Sequence, residues 1–296
     1  MREELSGVLN LDKPVGMTSH DAVAAMRRLT GQRGVGHAGT LDPLASGVVV
    51  MLLGRATALS AYAMASEKTY AAEVCFGVET STEDAEGAIT AEAPVPTLST
   101  DDIAERLQTL TGDVLQQPPR FSAIKTAGKR AYARARRGET VELPPRPVRI
   151  VEISPLGWRP PRLRLLVRTG PGVYIRALAR DIGRLLDSAA YLHALVRLSS
   201  GQFRLTGATR LEGLTREELC RRMLPPDCVV ESLPAIVLPA SDERRARHGG
   251  AVHVRTSADQ LEELTVRLYG ESGRFIGLGR LQGNTCRPAR VLEPLP

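Results

Sequence analysis

Cysteine is scarce in this 296-residue chain: Cys75, Cys220, Cys228 and Cys286 stand far apart, with no Cys-x-x-Cys pair and no nearby histidine spacing. Neither a zinc site nor a disulfide framework is expected, and a reducing, cytoplasmic setting is. Long apolar runs are missing too. The longest, Val48 to Leu53, falls far short of the roughly 20 residues that span a bilayer. Met1 to Gly7 carries two acids with no apolar core behind them, so neither a membrane segment nor a signal peptide is expected. No fixed period recurs, which argues against a solenoid.

What the chain does have is apolar content for a core, 43%, and an excess of base: 39 Lys and Arg against 33 Asp and Glu, a net +6. A folded, soluble protein that attracts polyanions is the expectation. The cations also cluster. Lys125, Lys129, Arg130, Arg134, Arg136 and Arg137 form one group, and Arg244, Arg245, Arg247 and His248 a second. Two such groups on a basic chain point to nucleic acid.

The first two thirds intersperse helix-like and strand-like segments. Thr18 with Asp21 has capping-box spacing, Val23, Met26 and Leu29 keep helical intervals, and Gly31 is a stop. Ser99 with Asp102 opens a second helix carrying Ile103, Leu107 and Leu110 before Gly112, and Thr215 with Glu218 a third carrying Leu219 and Met223. "YAAEVCFGV", "PVRIVEI" and "LRLLVRT" read as strands. Gln116 to Val148, rich in Pro, Gly and Arg, reads as a long excursion from the core, of a length that is usually functional or disordered. From about Pro234 the pattern becomes short strands, "AVHV", "LTVRLY" and "RFIGLGRLQG", divided by polar turns. That predicts a small all-β domain at 234–296, packed on a main body of 1–233.

The stretch "GVGHAGTLDPLASGVVVMLLG" carries Gly34, Gly36 and Gly39 at dinucleotide-fingerprint spacing, yet a helix precedes it, Asp42-Pro43 interrupts it, and no acid follows in Gly54 to Ser60. No Gly-Lys-Ser/Thr follows to make a P-loop. The glycines instead hold a loop bearing His37, Thr40 and Asp42 at the edge of an apolar segment. One carboxylate is thereby presented at the lip of the core. A helix cap or a turn former beside proline accounts for Asp42 when the loop is taken in isolation; a functional role asks for a basic partner, an aromatic face and a polyanion-binding surface.

"GVLNLDKPVGMTSHDAV", "GHAGTLDPLASGVV", "KTYAAEVCFG", "TSTEDAEG", "PPRFSAIK" and "GVYIRALARDIG" occur in an order and at spacings that resemble TruB-type tRNA pseudouridine synthases, from Gly7 to about Gly201. The resemblance implies an isomerase that detaches uracil from ribose, turns it and rejoins it through carbon 5, without cofactor or metal. Its implied substrate is uridine 55 in the T-loop of tRNA, and its implied fold is α+β: a mixed, mainly antiparallel sheet flanked by helices, with a C-terminal PUA-like module.

By the same resemblance Asp42 takes the catalytic aspartate's place, as nucleophile or as a base that removes a sugar proton. Arg176 is its implied pairing partner, and Tyr70 the residue that stacks on the target base. Asp84 is expected to organise the arginine and His37 to contact displaced bases. Tyr174, Ile175 and Leu195 would wall the base pocket, and Lys13 would lie close to it, in a substrate-binding or a structural role. The excursion at 116–148 resembles an inserted thumb loop, with Lys125, Lys129, Arg130 and Arg134 on RNA. A monomer acting on the tRNA T-arm is expected. The chain departs from the family pattern at Ala58, Ser81 and Val196. The first and last remove cations, for which Arg55 and Arg197 are expected to compensate.

Overall fold

The side chains of Thr18 and Ser99 each accept from the backbone N–H three residues on, while Asp21 and Asp102 return the bond, closing two capping boxes. They start α1 (Ser19–Thr30) and α3 (Thr100–Leu107), and Gly31, left-handed at φ 73°, ends the first. The computed structural model describes residues 4–122, 143–254 and 263–292, with the backbone of 125–126 and 129–130.

The remaining elements of the main body are β1 (Gly7–Lys13), β2 (Val35–Ala38), β3 (Ala45–Leu53), α2 (Ser60–Met64), β4 (Lys68–Phe76), β5 (Val78–Thr80), β6 (Ile89–Glu92) and β7 (Gly112–Gln116). After these come β8 (Lys125–Thr126), β9 (Lys129–Arg130), β10 (Arg146–Arg159), β11 (Arg162–Thr169), α4 (Ile175–Leu185), β12 (Ala190–Ser200), β13 (Phe203–Arg204), β14 (Thr209–Arg210) and α5 (Arg216–Arg222). Eight strands run β14-β1-β3-β12-β4-β11-β10-β7, with β2 added to β3 and β13 to β12. Only the β1/β14 and β3/β12 pairs of this sheet are parallel, so it is mixed and mainly antiparallel, as expected.

The run Val48 to Leu53 is a central strand with both faces covered. Val49, Met51 and Leu53 face a core shared with α1 and α4, whereas Val48, Val50 and Leu52 pack with Ala56, Ala63 and Phe203. Burial on both sides is why it reads as continuous rather than alternating. β4 alternates instead, with Lys68, Tyr70, Ala72, Val74 and Phe76 inward. Lysine and tyrosine thus share the inner face of a half-buried strand.

A second sheet follows, β15 (Ala235–Leu238), β16 (Val252–His253), β17 (Leu264–Gly270), β18 (Phe275–Gln282) and β19 (Thr285–Val291), ordered β15-β17-β18-β19-β16. It carries one helix that the strand pattern did not suggest, α6 (Ala240–Arg247). Arg247 there is buried and bonded to Glu243 one turn back, which removes it from the exposed basic group. β19 escaped the sequence reading because it contains Pro288. Its partner β16 covers only Thr285 and Cys286, so the proline sits where no ladder bond is missed on that side.

The two sheets meet through Leu59, Val230, Leu278 and Leu292. Across the same seam Tyr269 donates to Asp227 Oδ2 at 2.6 Å and Arg55 Nη1 to the carbonyl of Leu292 at 2.8 Å. Among the described residues no helix is long and apolar enough to cross a membrane.

Candidate active site

Parallel pairing of β3 with β12 sets Ala45 beside Leu195 and Gly47 beside Arg197, bringing the loop Gly39 to Leu44 against the centre of the sheet. That loop is pinned on every side. Ser19 Oγ both accepts from Leu41 N–H at 2.7 Å and donates to Leu41 O at 3.0 Å. Lys13 Nζ donates to the carbonyls of Ala45, Met17 and Pro14 at 2.6, 2.6 and 2.8 Å. Arg197 donates to Gly39 O at 3.1 Å, Thr40 O at 3.3 Å and Val48 O.

Out of this fixed backbone the Asp42 side chain projects, 32% exposed, onto a guanidinium that is only 8% exposed. Arg176 Nε meets Asp42 Oδ2 at 2.9 Å and Nη2 meets Oδ1 at 3.3 Å. A planar fork of this kind fixes both distance and orientation of a carboxylate. The remaining donors are used as well: Nη1 binds Thr82 O at 3.1 Å and Nη2 binds Phe121 O at 2.9 Å. Asp84, 6% exposed, stands behind the arginine with Oδ2 at 3.6 Å from Nε. Its own carboxylate is held by the Thr82 hydroxyl and the Glu86 N–H. Asp84 is expected to organise the arginine, and the two side chains lie within reach of each other.

A cavity of about 340 Å³ opens over the pair, walled by Tyr70, Tyr174, Ile175 and Leu195 with Phe121 and Lys68 alongside. Tyr70 is buried, which pushes its hydroxyl pKa up, while the Arg197 guanidinium bonded to it pulls the other way. Tyr174 caps the start of α4, its backbone held on both sides by the Gln116 amide at 2.9 and 3.2 Å. Asp42, Tyr70, Arg176, Tyr174, Ile175 and Leu195 therefore line one cavity.

Three expected site residues do not: Lys13, His37 and Asp84, the last standing behind Arg176. Lys13 is fully buried, its three protons on backbone carbonyls, and burial lowers its pKa to about 8, with Asp42 opposing the shift. Of the two roles open to it in the sequence, these contacts favour the structural one, a strut behind the loop. His37 lies on β2 opposite Met51 and is absent from the cavity wall; burial and the nearby Arg197 lower its pKa. Lys125, Lys129 and Arg130 fall on the β8/β9 pair, and Arg134 lies outside the described residues.

The chain's residues 27–175 match the TruB family pseudouridylate synthase (N terminal domain) model, and 234–292 match Pseudouridine synthase II TruB, C-terminal. The protein belongs to the TruB family. It is 39% identical to the tRNA pseudouridine synthase B of Trichormus variabilis, over 98% of this chain and 100% of that one. The enzyme of the same name from Symbiobacterium thermophilum is 44% identical over 85% of each. Among solved structures the fold resembles a chain of a Cbf5-Nop10-Gar1 complex, with TM-score 0.73 and 24% identity, covering 97% of this chain and 85% of that chain.

Against that TruB frame, the residues sequence reasoning missed are buried cations. Arg197, expected to replace a lost RNA-binding cation, is 1% exposed and serves the loop instead. Lys68 borders the cavity, donates to Met64 O and Ser66 O at 2.6 Å each, and has its pKa lowered by burial and then by Arg197 to about 8. Both follow from strand alternation: Arg197 is two residues from Leu195 and Lys68 two from Tyr70, hence on the same inward faces. Of the departures, Ala58 and Ser81 are exposed and Val196 half-buried, and none borders the cavity.

Proposed function

We propose that this protein converts uridine 55 of the tRNA T-loop to pseudouridine, with Asp42, Arg176 and Tyr70 as its catalytic residues. The observation that carries the reading is one partly exposed carboxylate, gripped at two points by a buried arginine, at the mouth of a cavity with an aromatic wall. The reaction breaks the bond from uracil N1 to ribose C1′ and forms one from C5 to C1′. C5 gives up a proton and N1 gains one, so nothing is added to or lost from the nucleoside.

Asp42 acts as nucleophile or as the base that takes a sugar proton, and the ionised carboxylate serves both routes. The arginine favours that form and aims it. Tyr70 offers a face for a base taken out of its stack, where stacking gives about 1–3 kcal/mol per base. Tyr174, Ile175 and Leu195 close the apolar wall, Asp84 steadies Arg176, and His37 meets displaced bases outside the cavity.

The tRNA T-arm is held by the insertion at about 116–148, through Lys125, Lys129, Arg130 and Arg134, and by a PUA-like domain at 234–296 beside the catalytic domain at 1–233. Such contacts are mainly to phosphate and make binding salt-sensitive. The protein is taken to act as a monomer. The deciding measurement is tritium release from carbon-5-labelled uridine in unmodified tRNA, for the native protein and Asp42→Asn, with RNA affinity in parallel. Release by the native protein alone, at matched affinity, supports the reading. Tight binding by both with no release makes this an RNA-binding or RNA-refolding protein.

A further inference from the structure

One helical turn beyond Arg176, a second buried arginine repeats its pattern of contacts. Arg176 joins two segments: its Nη1 holds Thr82 O at 3.1 Å and its Nη2 holds Phe121 O at 2.9 Å. Arg180, 7% exposed, joins the same two: its Nη1 meets Glu83 Oε1 at 2.6 Å and its Nη2 meets Gln117 O at 3.0 Å. Residues four apart on a helix lie one above the other. Helix α4 therefore grips both the Thr82–Asp84 turn and the Gln117–Phe121 segment twice.

The turn needs that second grip. Glu83 has φ 62°, left-handed for a residue with a side chain, a conformation that persists only where surroundings enforce it. Its carbonyl accepts from Leu192 N–H at 3.1 Å and its carboxylate is tied to Arg180, which Asp181 Oδ1 steadies at 2.8 Å. Glu83 Oε2 is buried without a hydrogen-bond partner, so removing Arg180 leaves this acid with no ion-pair contact and only the more distant charge of Arg176 to offset its burial. On either side of this strained residue stand Thr82, whose carbonyl receives Arg176, and Asp84, whose carboxylate lies behind it.

We propose that Arg180 and Glu83 are positioning residues for the isomerisation: their ion pair fixes the 82–84 turn, and that turn sets the orientation in which Arg176 holds Asp42. The inference rests on Asp42 and Arg176 being the catalytic pair. Arg180 and Glu83 line no part of the Asp42 cavity but border a separate one of about 760 Å³ with Gln117, Arg120 and Arg184; their proposed effect is on the rate, through the geometry of the turn, and a change in KM alone would place it on binding at that second cavity. Small misplacements of a catalytic group cost on the order of 10²-fold.

The test is tritium release at saturating and limiting tRNA for Arg180→Met, Arg180→Lys and Glu83→Ala, with Asp42→Asn as control, all below the melting temperature of the least stable. We expect kcat to fall about 10- to 100-fold in Arg180→Met and Glu83→Ala with KM within about twofold, and Arg180→Lys to recover part of it. Folded variants with kcat within twofold of the native protein, or with KM raised and kcat intact, overturn the proposal. Should Arg180→Met fail to fold, Glu83→Ala decides by the same criteria, since it leaves Arg180 its Asp181 partner. An active Asp42→Asn protein would overturn the catalytic pair itself, a failure separate from any result at Arg180.

Discussion

Gly47 of β3 lies directly against the main chain of Arg197 in β12, its register partner in the parallel pair. Its φ is +105°, and a Cβ added there would overlap the carbonyl oxygen, nitrogen and carbonyl carbon of Arg197. Close approach of these two strands is what seats the Arg197 guanidinium under Gly39 and Thr40. Gly47→Ala is expected to lower stability by about 2 kcal/mol or more, since backbone strain and backbone overlap add. Calorimetry checks the first effect. Tritium release from the folded fraction checks the second, a loss of activity as the Asp42 loop shifts; an alanine variant with native melting temperature would show that the strands can part freely.

Arg176 uses four donor contacts in three directions: two to Asp42, one to Thr82 O and one to Phe121 O. Lysine keeps the charge but not the planar fork. Arg176→Lys is therefore expected to bind tRNA nearly as well as the native protein while kcat falls on the order of 10²-fold, the cost seen when a preorganised electrostatic contact is lost. Equal kcat for the lysine variant would reduce the role of Arg176 to charge alone.

Legibility in the sequence followed the range of the interactions. The capping boxes at Thr18 and Ser99, the stop at Gly31 and the alternation of β4 are local, and each is present as expected. Asp42, Tyr70 and Arg176 could be named only through whole motif blocks, because Asp42 and Arg176 meet across 134 residues of sequence and Tyr70 joins them only as part of the cavity wall. β12 was not read as a strand, although it centres the sheet, and the bulges between Leu192 and Ala194 and between Arg197 and Ser199 break its alternation. The buried lysines and arginines stayed hidden for a different reason. A cation in a sequence signals a solvated face by default, and only the carbonyls that converge on Lys13, Lys68 and Arg197 reverse that.

Those two lysines give the protein a pH signature. Both have pKa values lowered from 10.5 to about 8 by burial, so between about pH 8 and 10.5 the unfolded chain binds more protons than the folded one. Stability therefore rises with pH through that window. The thiols of Cys228 and Cys286, pushed up from 9.0 to about 12 and about 11 chiefly by burial, act in the opposite sense, lowering stability above about pH 9. Urea midpoints at about pH 7.5 and 9 should thus increase for the native protein. Lys68→Met should show a smaller increase; an unchanged slope would mean that Lys68 titrates alike in both states.

Arg55 offers the sharpest contrast between a cation that binds RNA and one that binds protein. The sequence made it a replacement for a missing RNA contact, whereas its Nη1 donates to Leu292 O at 2.8 Å across the seam between the sheets. An arginine on phosphate contributes about one unit to the salt slope, and reversing its charge weakens binding far more than deleting it. An arginine on a carbonyl does neither. Arg55→Ala and Arg55→Glu are accordingly expected to weaken tRNA binding to the same small degree, with the salt slope unchanged and hydrogen exchange in β18 and β19 accelerated in both. A Glu variant far weaker than the Ala variant, with the slope reduced by about one, would return Arg55 to the RNA-binding surface and leave the seam to Tyr269, Asp227 and the apolar contacts of Leu59 and Leu278.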